Sequence, residues 1–400
     1  MKGRARGAIV VCPRPLSCYI RPVLCAIILG ALTVLSLALT LWQLEEARRF
    51  PLHHRASPLG KPPAVTLLKP LKGCDAETID CLKSWFTQDY NAPVQILFGV
   101  AAANDPVCDP VRQLINAFPQ REAQLLICPE ELGPNAKVST LIQLQRQARH
   151  DRIIVSDADV WVPADFLGQV VRPLEDGQVG LVNCFYRMAS CFNTAMRWEA
   201  FTVNADFWSQ VLQAVRLKPM DFALGAVMAT TRRHLAMIGG FEAVAHYLAD
   251  DYRLGRLVAG SGARLALCPV VVECRSAAAG WREVWAHQVR WARTIRVCQP
   301  APYFLSLLSN ATLWPLLWLL WQPTHWSLAI AGLCCLARSG TGFFCEGKLT
   351  GIFRPSSLVL GVWKDLLQIP VWLLAFAGNR ITWRGRRFEV QASGKLVRVE

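Results

Sequence analysis

Between Pro22 and Trp42 the chain runs for 21 residues without a charged side chain. As a helix, such a run is about 30 Å long, the thickness of a bilayer's hydrocarbon core. Arg21 precedes it, and Glu45, Glu46, Arg48 and Arg49 follow. A secretory signal peptide has a shorter apolar core and small residues at its cleavage site. This run ends in Leu-Trp-Gln and reads as a retained transmembrane anchor. Whatever folds behind it must work at a membrane.

Charge location narrows the possibilities further. Hydrophobic residues make up 53% of the 400 and charged ones 18%, which excludes a disordered chain. The net charge of +14 invites nucleic acid, an anionic membrane surface or an anionic substrate. Residues 1–63 hold 9 Lys+Arg and 2 Asp+Glu, net +7; residues 64–280 hold 20 and 22, net −2; residues 281–400 hold 14 and 5, net +9. The middle is slightly acidic and the positive excess belongs to the membrane-adjacent flanks. A nucleic-acid-binding domain would carry the basic patch itself, so no nucleic-acid partner is expected. The fifteen cysteines are scattered, odd in number and without a CxxC pair, predicting reduced thiols and no zinc site.

From residue 64 to about 280, short β-branched runs alternate with amphipathic ones. Strands are expected at 65–68, 95–100, 124–127, 152–155, 179–182, around 225–228 and at 264–267, with helices over 78–88, 107–118 and 137–149. This alternation predicts an α/β domain with a mostly parallel sheet, whose ligands bind at the carboxyl ends of strands. Three apolar runs come next, 303–321, 326–345 and 356–378. The first reads as a clean span. The second carries Arg338, and the third carries Lys364-Asp365 near its middle, a costly placement at a bilayer centre, so the third is expected to lie in the interface or re-enter. The chain thus divides into a basic segment 1–21, the anchor 22–42, a Pro/His/Arg-rich linker 43–63, the α/β domain 64–280, an amphipathic helix 281–300, a membrane region 301–378 of two or three helices, and a basic tail 379–400. Lys2, Arg4, Arg6, Arg14 and Arg21 nearly balance Arg48, Arg49, Arg55 and Lys61 across the first span. The uncharged turn 322–325 fits the far side, while Lys348, Arg354 and the tail fit the cytoplasm, which predicts a cytoplasmic α/β domain provided the third run does not fully cross.

Four segments could carry chemistry. Arg-Ile-Ile-Val-Ser, residues 152–156, is a buried-strand signature ending in Asp157-Ala-Asp159. The chain turns where a strand ends, so both carboxylates can approach one ion. Hard oxygen donors at this spacing suit Mg²⁺ or Mn²⁺ bridging to a diphosphate, although the same spacing also occurs in solvated loops. The first strand leads into Lys69-Pro-Leu-Lys72-Gly-Cys-Asp75. Asp75 suits hydrogen bonding to a nucleotide, and equally the start of the next helix. Gly133-Pro-Asn135-Ala-Lys137 opens another helix; Lys137 could reach a phosphate, or the segment could be ordinary turn chemistry. Asp250 and Asp251 begin a helical stretch, where the dipole favours acids and where a carboxylate could also serve as a general base toward an acceptor hydroxyl. Finally, residues 281–296 form a basic, Trp-rich amphipathic helix suited to a membrane surface. On it His287, Arg290 and Trp291 share one face, placing an arginine and an indole to clamp a diphosphate and a sugar.

Taken in order, Lys69-Pro-Leu-Lys-Gly-Cys-Asp75, Ser156-Asp-Ala-Asp159, Leu248-Ala-Asp-Asp251-Tyr and His287-Gln-Val-Arg-Trp291 resemble the motifs of the ceramide glucosyltransferase family of membrane glycosyltransferases, most nearly its bacterial hopanoid-associated branch. Gly133-Pro-Asn-Ala-Lys-Val-Ser, Ile238-Gly-Gly-Phe-Glu and Arg290-Trp-Ala-Arg-Thr-Ile-Arg296 match too, so the resemblance covers roughly residues 64–300. It implies a GT-A, Rossmann-like domain and a UDP-sugar-dependent hexosyltransferase that inverts the anomeric carbon. It also implies Asp75 at the nucleotide, Asp157 and Asp159 at a divalent metal (Mg²⁺ or Mn²⁺) and its diphosphate, Asp251 or its neighbour Asp250 as base, and Arg290 and Trp291 closing the site. The last motif generally opens on Gln or Arg; here His287 stands first. The implied partners are a bilayer, a UDP-sugar and a lipid acceptor in a bacterial cell membrane. The hopanoid bacteriohopanetetrol with N-acetylglucosamine comes first, and a ceramide or another glycolipid acceptor is the alternative. A processive polysaccharide synthase would want more spans. A catalytically silent scaffold is disfavoured by the retained acids and the Arg290-Trp291 pair.

Overall fold

The computed structural model describes residues 17–383, 385–391 and 394–399. Lys2, Arg4, Arg6 and Arg14 of the basic segment and Arg384 of the tail lie outside the described residues. The chain opens with helix α1 (Ser17–Arg49), on which Val23, Ile27 and Val34 are exposed, as suits a surface whose solvent is lipid.

Alternation then sets in: β1 (Val65–Pro70), α2 (Thr78–Phe86), β2 (Val94–Val100), α3 (Cys108–Ala117), β3 (Glu122–Ile127), α4 (Ala136–Gln147), β4 (Arg152–Ser156), β5 (Val160–Trp161) and α5 (Phe166–Val171). It continues through β6 (Val179–Met188), α6 (Thr194–Phe201), a π-helical stretch at Thr202–Phe207, α7 (Trp208–Leu217), β7 (Val227–Thr231), α8 (Arg232–Met237), α9 (Asp250–Gly260) and β8 (Arg264–Cys274). The eight strands form one sheet in the order β3-β2-β1-β4-β7-β6-β8-β5. β1 and β2 are buried along their full length, which explains their continuous apolar runs. Leu82, Trp85, Val111 and Phe166 from α2, α3 and α5 cover one face, and Val138, Leu141, Leu254 and Val258 from α4 and α9 cover the other.

The sheet is more mixed than the alternation predicts. β7 runs antiparallel to both β4 and β6, and β5 runs antiparallel to β8, while the β3-β2-β1-β4 half and the β6/β8 pair are parallel. β-branched runs identify strands but carry no direction. The consequence for function is geometric: the carboxyl ends of β1, β2, β3, β4, β6 and β8 and the amino end of β7 share one edge. The loops bearing Asp75, Asn135, Asp157, Gly225 and Arg275 therefore converge there.

Beyond the sheet come α10 (Trp281–Cys298), α11 (Pro300–Leu305), α12 (Leu313–Trp321), α13 (His325–Thr350) and α14 (Ser357–Phe376). The run 303–321, read from sequence as a clean span, is broken: α11 with its following 3₁₀ turn meets α12 at a 57° bend. Asn310 makes the break, its Oδ1 accepting from Thr312 N and Leu313 N while its Nδ2 donates to the Asp365 carbonyl. α1, α13 and α14 are each long and apolar enough to cross a membrane. Both ends of α14, however, are tied to parts of the α/β side. Arg197 of α6 donates to Ser357 Oγ at 2.9 Å, and Arg296 of α10 bonds Asn379 just past the other end.

The charges that look costly in these helices neutralise one another. Arg338 of α13 reaches Asp206 Oδ2 at 2.8 Å and Asp365 Oδ2 at 2.9 Å, and Lys364 reaches Asp206 Oδ2 at 2.7 Å. Gln43 of α1 and Thr312 donate to the same two carboxylates. The segment read as a basic tail folds into a small antiparallel sheet, β9 (Arg380–Trp383), β10 (Arg386–Val390) and β11 (Leu396–Arg398). Ile381, Phe388, Val390 and Leu396 pack there against Leu248.

Candidate active site

The Asp157-Ala-Asp159 turn is pinned by its backbone, which leaves its carboxylates for other partners. Lys69, wholly buried at the end of β1, donates to the Asp157 carbonyl at 2.6 Å and to Ser156 Oγ at 3.2 Å. Burial pulls its ammonium down to about 8, against the charges of Asp159 and Asp157. Arg275 N and Cys81 Sγ both bond the Asp159 carbonyl. Asp159 keeps solvent-exposed surface. Enclosure on its remaining sides, then the charge of Asp157, lift its carboxyl to about 6.

Lys137 joins this turn to the second acidic pair. Its Nζ lies 2.7 Å from Asp157 Oδ1 and 3.3 Å from Asp250 Oδ2. These carboxylates overcome its own burial and raise its basicity, keeping it charged. Asn135 sets the lysine in place: its Oδ1 caps α4 by accepting from Val138 N, and its Nδ2 donates to Tyr247 O at 2.8 Å and Asp250 Oδ1 at 3.4 Å. Asp250 is thereby buried and occupied. Asp251, the next residue, is half-buried, with Oδ1 accepting from Tyr252 N at 2.7 Å. Its other oxygen lies 2.7 Å from where a Cβ on Gly225 would stand, so the missing side chain makes room for the carboxylate. Burial, and then the neighbouring Asp250, raise the Asp251 carboxyl to about 7, with Lys137 opposing.

Asp75 lies on the same edge and is exposed. Its Oδ1 accepts from Thr78 Oγ1 and from the amides of Glu77 and Thr78, which opens α2, while Oδ2 accepts from Ala277 N at 3.1 Å. Partial burial disfavours its charge, but the Thr78 hydroxyl and these amides hold its carboxyl below the ordinary range. The helix-start reading of Asp75 is thus visible, and the residue also ties the β1 loop to the segment leading into α10.

On α10, His287 Nδ1 lies 2.6 Å from Glu199 Oε1, and Gln288 Nε2 donates to the same oxygen at 3.0 Å. The His287 ring sits 4.6 Å from that of Trp291. Trp281 and Trp285 pack on Trp198 of α6, and Val284 and Ala292 pack against Val371 and Ala375 of α14. The helix is therefore clamped between α6 and α14. Arg290 and Trp291 are half-buried on it. Glu199, Lys69, Gly225 and Arg275 complete the surroundings. Of these only Lys69 stands inside a sequence motif, and a lone buried glutamate in a helix gives no signal by spacing.

Two carboxylates with outward oxygens fit a divalent cation of the Mg²⁺ or Mn²⁺ type. Among the described residues no third His, Cys, Asp or Glu joins them in a closed metal cluster. The set therefore suits an ion completed by substrate oxygens and water rather than a structural metal. Lys137 competes for Asp157, and its flexible stem can yield that oxygen while keeping Asp250.

Comparison with known proteins agrees with this architecture. The chain is 27% identical over 225 residues to ceramide glucosyltransferase 1 of Caenorhabditis elegans, covering 54% of this chain and 46% of that one. It is 35% identical over 121 residues to the ceramide glucosyltransferase of Candida albicans, covering 28% and 22%. The chain thus spans less than half the length of these curated relatives. In structure it is similar to the mannosyltransferase PcManGT of Pyrobaculum calidifontis, solved in complex with GDP-Man and Mn²⁺. The TM-score is 0.51 at 21% identity, covering 86% of this chain and 98% of that one. That likeness concerns the fold, and it bears out the GT-A α/β expectation. The sequence profile of Glycosyl transferase family 21 matches residues 28–396, from within the anchor to the last strand of the tail sheet. The chain belongs to glycosyl transferase family 21.

Proposed function

We propose that this protein transfers a sugar from a UDP-sugar to a hydroxyl of a membrane lipid, with inversion at the anomeric carbon. One observation carries the reading: Asp157 and Asp159 meet Asp250 and Asp251 across Lys137 at a single sheet edge, on a domain tied to apolar helices. Asp157 and Asp159 would hold Mg²⁺ or Mn²⁺, which when bound neutralises charge growing on the departing diphosphate. Lys137 brings a fixed positive charge to the same place, and Arg290 and Trp291 are suited to close over diphosphate and sugar. Asp75, on the same sheet edge, is suited to hydrogen-bond the nucleotide.

Asp251 is the base in this proposal. A carboxyl raised to about 7 is substantially ionised at neutral pH yet basic enough to draw a proton from an attacking hydroxyl. Its Oδ2 occupies the space that the absent side chain of Gly225 leaves, whereas Asp250 is committed to Lys137 and Asn135. A donor already activated as a diphosphate needs only one base, unlike the carboxyl pair of a glycosidase. The acceptor we infer is a hopanoid polyol, bacteriohopanetetrol, with N-acetylglucosamine as the sugar and the domain on the cytoplasmic side of a bacterial membrane. A ceramide acceptor with glucose is the second reading, favoured by the names of the matched relatives.

The test is Asp251→Asn in membranes supplied with either lipid and either UDP-sugar, products being read by mass spectrometry. Transfer should vanish while UDP binding stays within about threefold. Wild-type turnover in that variant would remove Asp251 as the base.

A further inference from the structure

A chain of polar contacts connects the acidic edge to the end of a candidate membrane helix. Arg275 N donates to the Asp159 carbonyl, and the Arg275 side chain bonds Glu273. Glu273 also bonds Arg187, whose guanidinium donates to the carbonyl of Thr350, the last residue of α13. The start of the connection from α13 to α14, residues 351–356, is thereby linked to the acidic edge. It lies at a membrane surface as well, because it joins two helices apolar enough to enter a bilayer.

That connection is apolar where a water-facing loop would be polar. Ile352 is 46% exposed and Phe353 54%, with the Phe353 ring 5.4 Å from that of Phe343 on α13. The loop after β6, which leads into α6 and its Arg197, exposes Phe192 at 59%. This loop is tied to the site as well: Ser276, next to Arg275, donates its amide to Ser190 Oγ, and Asn193 donates to the Ala279 carbonyl. The Arg197–Glu346–Arg354 cluster closes the polar side between the two loops. Phe192, Ile352 and Phe353 thus expose apolar surface on two loops that polar contacts link to the acidic edge.

We propose that Phe192, Ile352 and Phe353 form a membrane-inserted rim through which the acceptor lipid enters sideways. Its chains stay in the bilayer between the two loops, and its hydroxyl headgroup reaches the carboxyl edge of the sheet. The occupant is a chain-bearing amphiphile with an uncharged hydroxyl head. Continuity of the rim with α13 and α14 selects the bilayer, rather than a soluble protein, as the surface it meets. The acceptor half of the proposal rests on the lipid-transfer reading; insertion of the rim does not.

The experiment separates the two. The full chain, carrying a photoreactive benzoylphenylalanine at position 192 or 353, is irradiated in nanodiscs of phosphatidylcholine and phosphatidylglycerol and weighed intact. Val34 on α1 is the lipid-facing control and Arg112 on α3 the water-facing one. Phospholipid adducts are expected at 192, 353 and 34 and none at 112; adducts at 34 but at neither rim position overturn the rim. In parallel, the Phe192→Ser/Phe353→Ser variant is assayed with ceramide and with bacteriohopanetetrol titrated into the nanodiscs. KM for the lipid should rise about tenfold with kcat within about twofold. An unchanged KM despite adducts overturns lateral entry. Absence of transfer by the unaltered chain to either lipid overturns the function reading while leaving the adduct result to decide insertion.

Discussion

Gly225→Ala tests the base assignment through a residue that carries no chemistry itself. A Cβ added there would stand 2.7 Å from Asp251 Oδ2 and 3.2 Å from its Cγ. Ordinary contact begins near 3.4 Å, so the carboxylate must retreat by roughly 0.7 Å. Asp251 Oδ1 is tethered to Tyr252 N at 2.7 Å, so the retreat is a rotation that displaces Oδ2. A misplacement of about 1 Å costs on the order of a hundredfold in rate, so about 0.7 Å should lower kcat by roughly tenfold to thirtyfold. That is about 1.4–2 kcal/mol of transition-state stabilisation. Gly225 is not among the positive-φ glycines, so alanine adds no backbone strain. The donor KM should hold, because Asp157, Asp159 and Lys137 do not touch this methyl group, and the melting temperature should move little. The assay is initial-rate transfer in nanodiscs with the donor varied, alongside thermal unfolding. A folded Gly225→Ala protein with wild-type kcat would refute the position given to Asp251 and return the base role to Asp250, which Lys137 and Asn135 hold independently.

A base must be deprotonated to act, and the Asp251 carboxyl at about 7 holds its proton in acid. The ratio kcat/KM should therefore be level above about pH 8 and near a tenth of its plateau at pH 6, whereas an ordinary carboxylate base would leave it flat to about pH 5. Excess chelator should abolish transfer and added Mn²⁺ or Mg²⁺ restore it, measured as product formed; full activity in chelator would remove the metal from Asp157 and Asp159. Arg338→Met strips the shared partner from Asp206 and Asp365 and should destabilise the folded chain by about 3–5 kcal/mol, seen as a lower unfolding temperature in detergent. Adding Asp365→Leu to it should recover part of that loss, and no recovery would mean the two groups are not coupled.

Much of the site is legible in the sequence because its elements carry local signals. A β-branched run that stops at Asp157-Ala-Asp159 identifies a strand end, and strand ends are where α/β sheets bind ligands. The Gly133–Lys137 segment reads as the opening of a helix; Asn135 caps α4 there, and its amide also bonds Asp250 from 115 residues away. No spacing rule reports that second bond. Nor does one report Glu199, which joins His287 and Gln288 across 88 and 89 residues and looks in sequence like any helical glutamate. Strand direction escapes for the same reason: β7 reads as a strand from its composition, and only the long path through α6 and α7 turns it antiparallel. Local chemistry is written locally, and the supporting partners are long-range.

In the third apolar run, distant partners reverse a cost that the local sequence suggests. Lys364 and Asp365 look expensive in a helix of this hydrophobicity, and cost alone argues against a buried position. The fold buries them anyway, because Arg338 and Asp206 arrive from α13 and the π-helical stretch to form a group of two cations and two anions. Neutrality therefore removes the charge objection to α14 crossing a membrane. Ser357 at one end is bonded to α6, and Asn379 past the other end is bonded to α10, while the strands beyond it pack on Leu248 beside the acidic loop. Both ends of α14 are therefore anchored to elements that surround the acidic edge. α14 is thus held along the domain at both ends, with Val359, Trp363 and Leu373 exposed along its length. The same placement keeps the tail sheet on the side of the acids, where its Gly394 carbonyl accepts from Leu248 N two residues before Asp250.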